Sequence, residues 1–186
     1  MEHKHPRLNI KVSVEDPRAR VEIKDSQIDV VLSSGKVSVL DFSTATVKYD
    51  GVVNVGEKSW IEIYGNVKLN AEGEATVWAY DNTTVQAVDD VTIKSYNTAR
   101  VLASGHACVV AFDDSTVKAI GKAKIISKNT SKIEARGKAT VWAFENSDVS
   151  AYENSKVYSY DESLVAPYED AYYEKVKTVD SKKKKK

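Results

Sequence analysis

From Ala71 onward the chain is an unbroken run of eight-residue units, and this periodicity constrains the fold more than any other feature. Thirteen octads follow one another without insertion, from AEGEATVW (71–78) to PYEDAYYE (167–174). Position 1 is Ala or Ser in twelve of the thirteen, and position 7 is Val or Ile in twelve. Position 5 is nearly always Ala, Ser or Thr. The register carries back through IYGNVKLN (63–70) and VGEKSWIE (55–62), then more loosely to about Val31. A fixed short period of this kind marks a stacked solenoid, in which each unit buries its apolar side only against its neighbours.

The columns decide how many octads make one coil. Taking every second octad, position 2 reads Tyr64, Tyr80, Tyr96, Phe112, Lys128, Phe144, Tyr160. The intervening octads read Glu72, Val88, Ser104, Ile120, Arg136, Tyr152, Tyr168. Position 3 differs in the same way: one set is Asp, Asn or Glu after Gly65, and the other holds Gly73, Gly105, Gly121 and Gly137. Equivalence therefore recurs every 16 residues, and a three-sided, 24-residue period is not found. In TVWAY (76–80), strand alternation sends Val77 and Ala79 to one side and Thr76, Trp78 and Tyr80 to the other. The uniform columns, 7 and 1, are predicted to point inward. Gly, Asp and Asn at positions 3 and 4 supply the turns, because they tolerate left-handed backbone or bond their own chain.

The predicted fold is all-β: a single-chain, two-sheet β-solenoid (β-helix) with 16-residue coils of two octads. Residues 1–30, with alternating Leu8, Ile10, Val12 and Val14 and punctuated by Pro6 and Pro17, are read as an N-terminal β cap. Residues 31–174 are the solenoid, nine coils and roughly 43 Å long at about 4.8 Å per strand spacing. Residues 175–186, ending in Lys182–Lys186, are expected to be a basic, disordered tail.

The octad pair A-x-x-x-S-x-V-x resembles the 16-residue repeat of bacterial ice-nucleation proteins over about 71–166. The resemblance implies a β-solenoid with coils of that length, and an ice-binding or ice-nucleating activity as one alternative function. The family's Thr-x-Thr rows are missing here: the residues flanking position 7 are Thr76/Trp78, Thr84/Gln86, Arg100/Leu102, Thr116/Lys118 and Lys124/Ile126. Octads also occur in the intertwined trimeric spikes of phage tails, which makes a structural rod of a phage spike or surface layer the other alternative.

The outward columns suggest where a partner docks. One sheet is aromatic along much of its length: Trp78 and Tyr80, Tyr96, Val110 and Phe112, Trp142 and Phe144, Tyr158 and Tyr160. Exposed aromatic faces mark interaction surfaces, and Trp and Tyr are favoured interface anchors. The competing reading is a ladder of rings that stabilises the sheet by stacking. Charge is segregated along the rod. Between 115 and 138 lie Lys118, Lys122, Lys124, Lys128, Lys132, Arg136 and Lys138 against the single acid Glu134. Between 139 and 174 lie eight acids, among them Glu145, Glu153, Asp161 and Glu162, against Lys156 alone. A basic belt beside an acidic end can steer a charged partner, and the acidic end can fill a basic nucleic-acid groove on another protein. With 27 Lys+Arg balancing 27 Asp+Glu, direct sequence-specific nucleic-acid binding is not expected.

Signals for an enzyme are poor. His3 and His5 form His-x-His without a third ligand, His106 sits at a turn, and Asp89/Asp90 and Asp113/Asp114 are adjacent turn acids that point apart. The single cysteine, Cys108, excludes an intrachain disulfide and has no base in view. No cofactor or metal is expected. No run of about 18 apolar residues exists and MEHKHPRLNI lacks an apolar signal core, so no membrane association and a cytoplasmic location, with the host cell of a phage as one alternative, are expected. The leading expectation is a non-enzymatic binding or assembly module acting through the aromatic face. It would form a homodimer or dock on a protein partner, for example as a phage-encoded inhibitor of a host macromolecule.

Overall fold

The computed structural model describes residues 10–14, 20–24, 27–32, 36–40 and 43–176. All regular structure in them is β-strand. The first strands are β1 (Ile10–Val14), β2 (Arg20–Lys24), β3 (Gln27–Leu32), β4 (Lys36–Leu40), β5 (Thr44–Val55) and β6 (Trp60–Ala71). From there the octad takes over, and a four-residue strand begins every eighth residue. These are β7 (Thr76–Ala79), β8 (Thr84–Ala87), β9 (Thr92–Ser95), β10 (Arg100–Ala103), β11 (Cys108–Ala111), β12 (Thr116–Ala119) and β13 (Lys124–Ser127). They continue with β14 (Lys132–Ala135), β15 (Thr140–Ala143), β16 (Asp148–Ala151), β17 (Lys156–Ser159), β18 (Leu164–Pro167) and β19 (Tyr172–Lys175).

Every pairing is parallel, and from β7 onward each strand pairs with the next strand but one. Thr76 of β7 aligns with Thr92 of β9, and Thr84 of β8 aligns with Arg100 of β10. The chain is thus a β-solenoid of 16-residue coils with two strand ladders. The odd-numbered ladder runs from β7 to β19 and the even-numbered one from β8 to β18. The long strands β5 and β6 pass through both ladders in succession. The strands of the segment expected to cap the rod, β1 and β2, pair in parallel with β3 and β4. The lysine run at 182–186 lies outside the described residues.

Octad chemistry explains the coil. Positions 5, 7 and 1 are all buried: in one octad step Ala75, Val77 and Ala79, in a later one Ser115, Val117 and Ala119. Columns 7 and 1 were predicted inward; column 5 joins them because it shares their parity along the strand. Position 7 fills the space between the sheets and the small residues at 5 and 1 let the chain turn closely. Position 3 takes the left-handed conformation throughout, from Glu57 (φ 55°) to Glu169 (φ 56°). That single left-handed residue reverses the chain between the ladders. The residue at position 5 then closes the turn by donating its N–H to the carbonyl at position 2, as Thr83 does to Tyr80 at 3.3 Å.

The turns stack as tightly as the strands. At the corner holding Gly73, Gly105 and Gly121, from Glu74 to Lys138, the position-4 N–H donates to the position-3 carbonyl of the coil before, as in Lys122 to Gly105 at 2.9 Å and Lys138 to Gly121 at 2.7 Å. Side-chain oxygens extend this ladder. Asp113 Oδ2 accepts from Asn97 N at 3.1 Å, Glu145 Oε2 from Asn129 N at 2.7 Å and Glu153 Oε2 from Gly137 N at 2.8 Å. The turn acids therefore serve the backbone of the preceding coil.

Candidate interaction surface

Strand alternation and the 16-residue period place Trp78, Val110, Trp142 and Tyr158 in one outward column on the odd-numbered ladder. Trp78 and Trp142 are four rungs apart, about 19 Å at the usual strand spacing. Between them stand Lys94, Val110 and Ile126. Lys94 Nζ lies 4.5 Å from the Trp78 ring centre, and Trp60 meets Trp78 edge-on at 5.2 Å. At the other end Trp142 stacks on Tyr158 at 6.2 Å, and Tyr158 meets Tyr172 edge-on at 6.1 Å.

The position-2 rings sit one residue past each strand and line the corner beside this sheet. Tyr64, Tyr80, Tyr96 and Phe112 form a continuous stack with centroids 4.6, 4.7 and 4.8 Å apart and planes within a few degrees. That spacing is the strand spacing, so the backbone ladder itself sets the rings at stacking distance. Lys128 interrupts the column by placing its ammonium 5.6 Å over Phe112, and the stack resumes with Phe144 on Tyr160 at 4.5 Å. Burial of Tyr64 in this stack, with the Glu62 carboxylate beside it, pushes its hydroxyl up to about 12. Tyr80 and Tyr96 are also raised, again first by burial, then by Tyr96 and by Asp113 respectively.

Stacking leaves these rings half-buried. The more exposed apolar groups are Val88 (43%), Leu102 (39%) and Ile120 (46%) on the even-numbered ladder and its corner, which the sequence presents as mixed and polar. Another apolar group, Leu164, Tyr168, Tyr172 and Tyr173, gathers on the final coil. Its signal was present in the sequence: Pro167 and Tyr173 replace the small residue and the aliphatic at positions 1 and 7.

The basic belt does not form one face. Residues Lys122, Lys124, Lys128 and Lys132 occupy, in turn, a corner, the odd ladder, the other corner and the even ladder of one coil, so their charge encircles the rod. On the even ladder Lys118 (3.0 Å) and Arg136 (2.8 Å) both bond Glu134 and hold its carboxyl below the usual range. Lys118 and Glu134 border a shallow groove of about 250 Å³ with Lys132, Asp148 and Tyr152. Arg136 also lies 4.6 Å over the Tyr152 ring. At the acidic end, Glu145 and Glu153 are engaged with turn amides, while Asp161 and Glu162 are exposed at one turn.

Among the described residues no three His, Cys, Asp or Glu side chains gather as a metal site, and no helix is long and apolar enough to cross a membrane. Asp113 and Asp114 serve different partners, the Asn97 amide and the Thr130 hydroxyl (2.6 Å). Cys108 is exposed, with its thiol 3.8 Å from the His106 carbonyl. His3 and His5 lie outside the described residues. Compared with protein-family models, curated proteins and solved structures, the chain has no match. The octad pattern alone carries the resemblance to ice-nucleation repeats.

Proposed function

We propose that this protein is a non-enzymatic binding or assembly module that works through the aromatic side of its rod. The observation that supports this reading is the tryptophan column: Trp78 and Trp142 stand outward on the same ladder, on a rigid scaffold with a fixed rung spacing. The stacking of Tyr64, Tyr80, Tyr96 and Phe112 accounts for the corner; Trp78 and Trp142 have ladder contacts of their own, with Trp60, Lys94 and Tyr158, and stay partly open to solvent. A rigid aromatic surface loses little side-chain entropy on docking, which favours association. The partner is either a second copy or another protein.

The test is light scattering on the wild type and on Trp78→Lys combined with Trp142→Lys, together with affinity capture from host lysate by both forms. A dimer that the double substitution converts to monomer, or a captured protein lost with it, supports the reading. A wild type that is monomeric and whose captured proteins are unchanged by the substitutions overturns it.

A further inference from the structure

The corner opposite the aromatic stack carries neighbouring glycine amides, Gly105 and Gly121, without an acceptor among the described residues. The left-handed residue of each turn directs its N–H toward the next coil. In several turns an acidic side chain of the next coil takes that N–H: Asp81 from Gly65 (3.2 Å), Glu145 from Asn129 (2.7 Å), Glu153 from Gly137 (2.8 Å) and Glu169 from Glu153 (3.1 Å), whereas Asp89 and Asp161 take none from Gly73 and Glu145. At Gly105 and Gly121 the residue one coil on is itself glycine, and neither N–H has an acceptor among the described residues. The place where a side chain would start is open: a Cβ on Gly121 would lie 3.6 Å from Gly105 N, and one on Gly137 would lie 3.1 Å from Gly121 N.

The charge at this corner is positive. Lys122 and Lys138 follow Gly121 and Gly137, are exposed, and have no carboxylate within ion-pair distance among the described residues. Arg136 precedes Gly137 and is paired with Glu134. The acids nearest along the corner are Asp89 and Asp90, one coil before Gly105, and Glu153, one coil after Gly137 and already bonded to its amide.

We infer that the Gly105 and Gly121 amides, with Lys122 and Lys138, form a binding site for a carboxylate side chain of a partner protein. The fold satisfies the same donor with its own carboxylates in other coils, so a carboxylate from outside meets a geometry already shown to suit it. Free lysines beside the two amides add the charge attraction that the internal carboxylates do without. This site lies on the corner away from the tryptophan column, so it stands or falls independently of the reading above.

The experiment follows backbone amide resonances of glycine, of which the chain has eight, as a tetraglutamate peptide is added to the intact protein. The Gly105 and Gly121 resonances should shift and saturate, while Gly65 and Gly137, already bonded to Asp81 and Glu153, stay in place. Lys122→Gln with Lys138→Gln should weaken the binding about fivefold, as two exposed charge contacts allow. Gly121→Glu should supply the missing acceptor and abolish the Gly105 shift, as Glu153 and Glu169 do for the preceding amides at this corner with similar φ values. Inorganic phosphate is titrated in parallel. Absence of saturation, equal shifts at all four glycines, an undiminished Gly105 shift in folded Gly121→Glu, or binding of phosphate without tetraglutamate would each overturn the carboxylate site.

Discussion

Single residues in this protein are judged by the column they occupy. Eleven buried polar residues, all Ser or Thr, stand at positions 5 and 1. Most close local bonds: Thr83 Oγ1 donates to the Tyr80 carbonyl at 2.6 Å, and the Ser127 and Ser131 hydroxyls meet at 2.7 Å. Ser147 is the exception, with a buried hydroxyl that bonds nothing among the described residues. A buried polar group without a partner costs more than the methyl that would replace it. Ser147→Ala should therefore raise the unfolding free energy by about 1 kcal/mol. Ser131→Ala should lower it by at least about 1 kcal/mol, since Ser127 then loses its partner. Denaturant midpoints of the two variants test the pair, and a loss of stability in Ser147→Ala would contradict the assignment.

At the scale of elements, the stacked corner rings are a stabilising device in their own right. Tyr80 contacts Tyr64 and Tyr96 at 4.6 and 4.7 Å, so Tyr80→Ala removes two stacked pairs. At about 0.5–1.5 kcal/mol per aromatic pair, the expected loss is about 2 kcal/mol, read from chemical denaturation. The corner also carries a pH signature. Tyr64, Tyr80 and Tyr96 all have their hydroxyls raised above the ordinary value of 10.0, Tyr64 to about 12. Above that ordinary value the unfolded chain loses these protons while the folded chain keeps them. The stability they contribute is thus complete below pH 10 and is lost as pH rises toward 12. Melting temperature should fall through that window, with tyrosinate absorbance rising as the rod unfolds. Phe in place of Tyr64 should remove part of the drop.

The molecule as a whole is a rod whose last described strands, β18 and β19, pair with no further strand among the described residues. In each ladder the N–H after position 1 faces the preceding coil, as Tyr168 N bonding Ala151 O at 2.7 Å shows. The N–H of position 1 itself therefore faces the next coil. On the last described rung of the even ladder that position is Pro167, which has no N–H to offer; on the odd ladder it is Lys175. Proline here blunts an edge that would otherwise recruit another strand. Pro167→Ala should increase end-to-end association, measured as a concentration-dependent rise in mass by sedimentation. An unchanged mass would remove the proline from that role.

The all-β class, the 16-residue coil and the shared side of Trp78 and Trp142 were legible in the sequence, because a period of 2 within a strand and 16 between coils assigns each side chain a direction. The inward column at position 5 was legible as well, from parity alone. Three-dimensional packing decided the rest. Whether an outward ring is free or covered depends on its neighbour 16 residues away, which is how the tyrosine corner became half-buried while Val88, Leu102 and Ile120 remained exposed. A lysine cluster in sequence became a belt around the rod, since consecutive lysines in one coil face four directions. The turn acids became acceptors for the coil before, because only stacking brings a carboxylate to an amide 16 residues back.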